Sequence, residues 1–523
     1  MFNQTTLKPE LINIIPALAE FSINSAALPL LDNSYGDLVN DSRTVSEGDI
    51  FCAIIGHDQD GRAYISKAIN QGAKVVITQC ETQAEHGDIY LEENTPVVKF
   101  YQLNEHLFTL AKSYYQSPQN AMTLIGITGT NGKTSTSQLI AGMLMANHKR
   151  CAVIGTNGAG MLGALTPINN TTPAATDLHQ FFNRFSAMQV SHVAMEVSSH
   201  ALSQKRASAD LFDIAVFTNL SRDHLDYHGT MEEYALAKRQ LFSANHKQIA
   251  VLNYDDTQSK IWLQNWPETQ PVWLYARDNS VTQFSYFICA QDISLHIHGV
   301  SFTLKTHLGE TVINSPLLGY FNIDNLLAAI AVLLIDGTEV NQLNDLVKQL
   351  APIEGRMEAF TNPRSDLPTA VVDYAHTPDA LEKALLACRE HCTNKLHVVF
   401  GCGGDRDKGK RALMAQVAEQ YADVIVITND NPRTEDAQLI ANDILAGLSQ
   451  QDSSNVTVIL DREQAVLNTL KIAGEGDIVL LAGKGHEDYI ILSDGKGGTQ
   501  KIMYNERALV ANYYQQFNAE SNL

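Results

Sequence analysis

The segment GITGTNGKTS, residues 126–135, limits what this chain can fold into more than any other. An apolar run, TLIGIT, stops at a glycine-rich turn, and a helix-forming run opens at Lys133-Thr134. Glycines let the backbone turn tightly, so several N–H groups can face one phosphate. The helix behind them adds the positive end of its dipole. Lys133 can reach the outer phosphates of a nucleotide, and the Thr134 hydroxyl can ligate Mg²⁺. The strict GxxxxGK[ST] spacing is not met, because position 127 is Ile and the upstream glycines are Gly126 and Gly129. A plain glycine turn carrying a surface lysine would need neither the strand before it nor the helix after it.

The rest of the chain keeps the same strand–helix rhythm. HVAMEVSS, IAVFTNL and IAVLNYDD read as buried strands after the phosphate loop; TAVVDYA, LHVVFGC, ADVIVIT, VTVIL and DIVLLAG do so further on, with DALEKALLAC, RALMAQVAEQ and AQLIANDILAGL as helices between them. That alternation implies βαβ units and a largely parallel sheet. At ~150 residues per domain, 523 residues suggest about three domains. The turn cluster Ser117-Pro118-Gln119-Asn120 follows a stretch with helical spacing at Leu103, Leu107, Leu110, Ala111 and Tyr114. We expect an α/β protein of three domains, 1–103, 104–351 and 352–523, the central one of P-loop type and the last Rossmann-like.

Composition removes several classes of function. With 37 Lys+Arg against 58 Asp+Glu the formal charge is −21. A nucleic-acid binder needs a cationic surface, and an anionic membrane would repel this chain. No apolar run approaches the ~18 residues of a spanning helix, and the N-terminal segment lacks the basic start and small-residue cleavage site of a signal peptide. Seven scattered cysteines without a CxxC pair read as reduced thiols. A cytoplasmic protein is expected.

In open α/β sheets ligands sit at the carboxyl ends of strands, and the remaining motifs fall there. Glu196 ends an apolar strand, where a carboxylate can bind Mg²⁺ directly or through water. TNLSRDHLDYHG, residues 218–229, follows the next strand and offers Asp223, His224, Asp226 and His228. Either segment alone would read as a capped turn; two beside a phosphate loop point to a metal–nucleotide site. Lys238 follows on a helix, and spacing alone makes it a solvated lysine.

These residues, with NTTP (170–173), GYFNIDN (319–325), GRME (355–358), DYAHTPDAL (373–381), GGDRDKGKR, DNPR (430–433) and GKGHEDY (483–489), resemble the Mur ligases of bacterial cell-wall synthesis, in family order and over nearly the whole chain. The resemblance is to the branch that adds meso-2,6-diaminopimelate to UDP-N-acetylmuramoyl-L-alanyl-D-glutamate. It implies ATP-driven amide formation in peptidoglycan precursor synthesis. The D-Glu side-chain carboxylate takes the γ-phosphate, and the resulting acyl phosphate is attacked by the incoming amine. It further implies a monomer with no nucleic-acid or membrane partner.

By the same resemblance Lys133, Glu196, His224 and Lys238 are catalytic. Gly129, Thr130, Asn131, Gly132, Lys133, Thr134 and Ser135 hold the ATP phosphates. Thr134 and Glu196 hold one Mg²⁺; His224 and Lys238 serve a second, Lys238 as N6-carboxylysine. Asn322 and Asn325, three apart on one helical face, resemble the adenine contacts, with helix N-capping as their structural alternative. Arg356 and Asp373 resemble the phosphate and ribose contacts. The dipeptide falls to Asn170, Thr171, Thr172, Ser198, Gln204 and Arg206. The uridine diphosphate falls to Asn40, Ser42, His57, Asp58 and Gln59, although Asp58-Gln59 stand where the family has Gln-Ala.

Lysine and meso-diaminopimelate differ by one distal carboxylate, and selecting the second needs a fixed cation, best a bidentate guanidinium. Asp430, Asn431, Pro432 and Arg433 resemble the family's diaminopimelate motif, completed by Arg406, Gly483 and Glu487. As geometry, DNPR also reads as a type I turn with proline second. A folylpolyglutamate synthetase and a lysine-adding relative are the alternatives. DNPR speaks against both, and the N-terminal nucleotide-sugar unit against the first.

Overall fold

The computed structural model describes residues 11–23, 28–31, 33–56, 59–242, 247–296, 299–351, 353–362, 366–450 and 453–520. Contacts divide the chain into two compact units, Met1–Trp273 and Leu274–Leu523.

The first unit carries two main sheets and a two-stranded pairing of Ile12–Asn13 with Ser34–Tyr35. The smaller contains β1 (Leu38–Val39), β2 (Ile50–Ala53), β3 (Val75–Cys80), β4 (Ile89–Glu92) and β5 (Thr95–Tyr101), in the order β1-β2-β3-β5-β4. It is parallel except for the hairpin strand β4. Helix α1 (Leu103–Tyr114) buries Leu103, Leu107, Leu110, Ala111 and Tyr114 against it, the single face that the spacing predicts.

The larger sheet is built on β6 (Thr123–Thr128), which runs through the phosphate loop into α2 (Lys133–Ala146). Strands β7 (Cys151–Gly155), β8 (Gly158–Met161) and β9 (Ala164–Thr166) come next. Helix α3 (Ala175–Ala187), β10 (His192–Glu196) and α4 (Ser199–Ser203) follow, then β11 (Ile214–Phe217), α5 (Leu225–His228), α6 (Met231–Arg239) and β12 (Ile249–Asn253). Within this unit the order is β9-β8-β7-β10-β6-β11-β12. Strands β7, β10, β6, β11 and β12 are parallel, and β8 and β9 make an antiparallel edge. The loops after β6, β7, β10 and β11 therefore emerge side by side. Gly126 within β6 gives room to the Phe212 ring, which a Cβ would meet at 2.8 Å.

The second unit starts at Leu274, within β13 (Val272–Ala276), which is parallel to β14 (Phe287–His296); an antiparallel meander runs on through β15 (Gly299–Thr306) and β16 (Gly309–Ser315). This meander departs from the expected parallel rhythm. The apolar helix α7 (Phe321–Ile335) follows and is buried along almost all its length.

The last sheet then forms from β17 (Glu358–Phe360), β18 (Thr369–Asp373), α8 (Pro378–His391), β19 (Leu396–Phe400), α9 (Gly409–Tyr421), β20 (Val424–Ile427), α10 (Ala437–Leu445), β21 (Val456–Val458), α11 (Arg462–Ile472) and β22 (Ile478–Ala482). Its order is β17-β18-β22-β19-β20-β21, parallel apart from β17. A hairpin, β23 (Tyr489–Ser493) and β24 (Thr499–Met503), and α12 (Glu506–Glu520) end the chain. Among the described residues no helix is long and apolar enough to cross a membrane.

Candidate active site

The phosphate loop is clamped from the strand beside it. Thr130 N–H donates to Asn219 O at 2.8 Å, and Asn131 N–H donates to Asn219 Oδ1 at 3.0 Å. Asn131 O accepts from Thr218 Oγ1 at 2.6 Å and from Asn219 Nδ2 at 3.1 Å. Gly129, at φ +156°, leaves room for the Thr218 hydroxyl, where any Cβ would collide. The TNLSRDH segment thus shapes the loop through Thr218 and Asn219, a role its spacing did not reveal.

Lys133 Nζ folds over the loop and donates to Gly129 O at 2.8 Å and Thr130 O at 2.9 Å. At the second residue of α2, Thr134 Oγ1 donates to Glu196 Oε2 at 3.0 Å. Glu196 is 1 % exposed. Thr156 also holds its carboxylate, through N–H to Oε1 at 2.9 Å and through its hydroxyl to Oε2 at 3.1 Å. Gly155 has no side chain because the Glu196 carboxylate fills that space. A hydroxyl and a carboxylate meeting beside a phosphate loop are hard oxygen donors of the kind Mg²⁺ takes.

Lys238 is buried on α6, 1 % exposed, with its nitrogen 2.8 Å from Gly129 O and 4.3 Å from the centre of the Tyr234 ring. Burial drives its ammonium well below the usual lysine range; repulsion from Lys133 adds to this, and Asp223 opposes it. An amine held neutral is the form that reacts with CO₂, so the residue fits carbamylation. Tyr234, one turn earlier on α6, lies between Lys238 and His224, whose ring is 6.0 Å from it. Its four-residue spacing from Lys238 was the available signal. His224 sits at φ +53° and contacts Asp223 at 3.5 Å and the His200 ring at 4.9 Å. Ser135 is buried on α2.

A cavity of about 1090 Å³ in the same unit is lined by Asn40, Ser42, Gln59, Asn170, Gln204 and Arg206 among others. Arg43, Lys67 and Lys205 give it further cationic edges. Residues assigned to both ends of the nucleotide-sugar substrate thus share one space. Thr171, Thr172 and Ser198 lie toward Glu196 instead. Thr172 Oγ1 donates to Glu196 O at 2.9 Å and accepts from Ser198 N–H at 3.0 Å, and Thr171 meets Thr156 at 3.1 Å. Arg206 reaches Thr172 O and Gln204 Oε1, so it links the two groups. His57 and Asp58 lie outside the described residues.

In the second unit Asn322 and Asn325 are buried inside α7, whose N-cap position is Tyr320. Asn322 Nδ2 donates to Leu318 O at 2.7 Å, and Asn325 Nδ2 to Asn322 Oδ1 at 2.9 Å. The N–H groups just ahead of α7 are capped from α8: Gly319 by His391 Nε2 at 2.9 Å and Tyr320 by Glu390 Oε2 at 3.3 Å. Arg356 stacks on Tyr374 at 5.0 Å, and its buried Nε has no acceptor among the described residues. Asp373 accepts from Met357 N–H and Ala375 N–H, each at 2.8 Å; burial raises its carboxyl and Arg356 lowers it.

The loops after β19, β20 and β22 converge. Arg433 Nη1 donates to Gly404 O at 2.9 Å, and its N–H donates to Ile491 O at 3.0 Å. Its φ of +53° excludes the expected type I turn. Pairing with the hairpin strand β23 holds this arginine in the left-handed region, uncommon for a residue with a side chain. Asn431 Nδ2 donates to Glu487 Oε2 at 3.0 Å. Gly483 lies against Asp430, Pro432 is buried, and Arg406 passes beside Gly403 in the loop that Arg433 contacts.

Two buried arginines, neither foreseen, brace these loops. Arg411 binds Glu435, Asp443 and Gly403 O. Arg462 pairs with Glu506, both wholly buried, and donates to Asn429 O at 3.1 Å and Ala482 O at 3.0 Å.

Comparison with known proteins places the chain among relatives. The Mur ligase family catalytic domain matches residues 37–115, the Mur ligase middle domain 127–333, and the Mur ligase glutamate ligase domain 355–485. A UDP-N-acetylmuramoyl-L-alanyl-D-glutamate--2,6-diaminopimelate ligase of Haemophilus influenzae strain Rd is 44% identical over 488 residues, 93% of this chain and 98% of its own. A solved structure of a ligase with that description superposes with a TM-score of 0.66 at 35% identity, covering 93% of this chain and 96% of that one. Folylpolyglutamate synthase of Mycobacterium tuberculosis, complexed with ADP and AMPPCP, shares the fold at a TM-score of 0.57 and 17% identity, over 72% of this chain and 91% of its own.

Proposed function

The chain belongs to the Mur ligase family, and on that premise we propose that it joins meso-2,6-diaminopimelate to UDP-N-acetylmuramoyl-L-alanyl-D-glutamate at the expense of ATP, in the cytoplasm and as a monomer. A carboxylate is a poor electrophile, and phosphorylation gives it a leaving group. The D-Glu carboxylate oxygen attacks the γ-phosphorus and ADP departs. The amine nitrogen then attacks the acyl carbon, loses a proton and expels phosphate.

The residues divide by task. Residues 129–135 cradle the triphosphate, with Lys133 on its outer phosphates. Mg²⁺, when bound, offsets the negative charge that accumulates between triphosphate and carboxylate. Thr134 and Glu196 would hold one ion, and His224 with carbamylated Lys238 a second. Asn322 and Asn325 face the adenine, and Arg356 and Asp373 the phosphate and ribose. Three segments, 1–103, 104–351 and 352–523, carry the nucleotide-sugar, ATP and amino-acid ends.

The observation that carries the choice of amino acid is the contact of Asn431 with Glu487 at 3.0 Å beside the braced Arg433. Together they offer a carboxylate for an ammonium and a guanidinium with an amide for a carboxylate, the two groups at the distal end of diaminopimelate. Phosphate release with the nucleotide dipeptide and ATP, measured against diaminopimelate, lysine and ornithine, tests this. Diaminopimelate should be preferred by about a hundredfold in kcat/KM. Equal rates with lysine would sink the assignment.

A further inference from the structure

Lys484, between Gly483 and Gly485 in the loop after β22, has a wholly buried side chain. An ammonium has three N–H donors, and here each finds an acceptor: Asn431 Oδ1 at 2.9 Å, Tyr489 O at 3.0 Å and Glu487 Oε2 at 3.2 Å. Asp430 Oδ1 lies 3.1 Å away as an ion pair without hydrogen-bond alignment. A buried cation is costly unless paired. This one is paired with two loops at once.

The consequence falls on Asn431. Its amide oxygen accepts from Lys484 Nζ and from Ile491 N–H, both at 2.9 Å. Turning the amide over would set its NH₂ against two donors, so the lysine fixes which end faces Glu487. The amide nitrogen then donates to Glu487 Oε2. Oε2 is thereby occupied twice, while Oε1 takes no hydrogen bond from any described residue. The charges of Asp430, Glu487 and Lys484 sum to that of one carboxylate, which complements one incoming ammonium.

We propose that Lys484 is a positioning residue for the amino-acid substrate: it orients the Asn431 amide and holds Glu487 so that its second oxygen receives the substrate ammonium. This rests on the reading of Asn431 and Glu487 as amino-acid contacts. Without the lysine, Asp430 and Glu487 become neighbouring carboxylates with no cation between them, and the Asn431 amide oxygen keeps only the Ile491 N–H to hold its orientation.

The test is steady-state kinetics of full-length Lys484→Met and Lys484→Gln enzymes. For Lys484→Met the KM for diaminopimelate should rise at least about tenfold, and the KM values for ATP and the nucleotide dipeptide should stay within about twofold. Lys484→Gln keeps an N–H donor and should recover part of the loss. If Lys484→Met does not fold, Lys484→Gln decides the matter through a double-mutant cycle with Glu487→Gln, which should be non-additive. Additive effects or an equal rise of all three KM values would overturn the proposal. Arg433→Lys and Glu487→Gln separate the two layers. If both leave the KM for diaminopimelate unchanged, the amino-acid site itself is misplaced. If both raise it while the Lys484 variants do not, only the positioning role falls.

Discussion

Lys133 and Lys238 place their ammonium nitrogens on the same acceptor, the carbonyl oxygen of Gly129, each at 2.8 Å. One stands at the start of the phosphate-loop helix and the other on α6. Two cations on one carbonyl repel, and burial leaves Lys238 the weaker holder of its proton. Below about pH 10 the unfolded chain carries this ammonium more readily than the folded one, so stability drops as pH falls toward the folded pKa. Lys238→Met should therefore melt higher at pH 7 than wild type kept free of CO₂, while losing activity. In wild type, ¹³C-bicarbonate should give a carbamate carbon signal that the variant lacks. A lower melting temperature for the variant would contradict this account.

Glu196→Gln keeps the shape of the residue held by Thr134 and Thr156 and removes its charge. We expect kcat to fall by about 10²–10³, the scale of losing one fixed charge at a reacting centre. The Mg²⁺ concentration for half-maximal rate should rise. An unchanged Mg²⁺ titration would place the ion elsewhere.

Arg433→Lys keeps the charge and loses the planar fork. The kcat/KM for diaminopimelate should drop about a hundredfold, equivalent to about 3 kcal/mol, with little change for lysine. Competition between the two amino acids at saturating ATP reads the ratio directly.

His179 gives a prediction about stability alone. Its ring is enclosed by Phe108 and Phe182, and neither ring nitrogen has a partner among the described residues. Burial lowers its pKa to about 3, with Lys112 adding repulsion. The unfolded chain takes up this proton near pH 6.5, so stability is lost as pH falls from there, by about 2 kcal/mol at pH 5. His179→Phe should flatten the difference in unfolding free energy between pH 7 and pH 5 by that amount. Parallel curves would show that the histidine is solvated.

What could be read beforehand was local. The phosphate loop, Glu196 at a strand end and the DNPR turn each carry their chemistry within a few consecutive residues, and strand–helix alternation placed them at strand ends. What escaped depends on distant partners. Lys484 acquires its meaning from Asn431, 53 residues earlier. Proline signalled a turn at DNPR, but its handedness is set by Ile491 in the hairpin. Arg462 and Arg411 look like ordinary helix charges until the fold buries them. The antiparallel meander of β14 to β16 departed from a rhythm that was otherwise parallel.

Arg462 grips the carbonyls of Asn429 and Ala482, the residues just ahead of the DNPR and GKGHEDY loops. The two loops share one anchor and inherit each other's displacements. On the proposed reading of these loops, retuning the enzyme toward a different diamine by transplanting the DNPR tetrapeptide alone would leave the GKGHEDY loop in its old register. The workable unit of exchange is both loops together with the arginine that staples them.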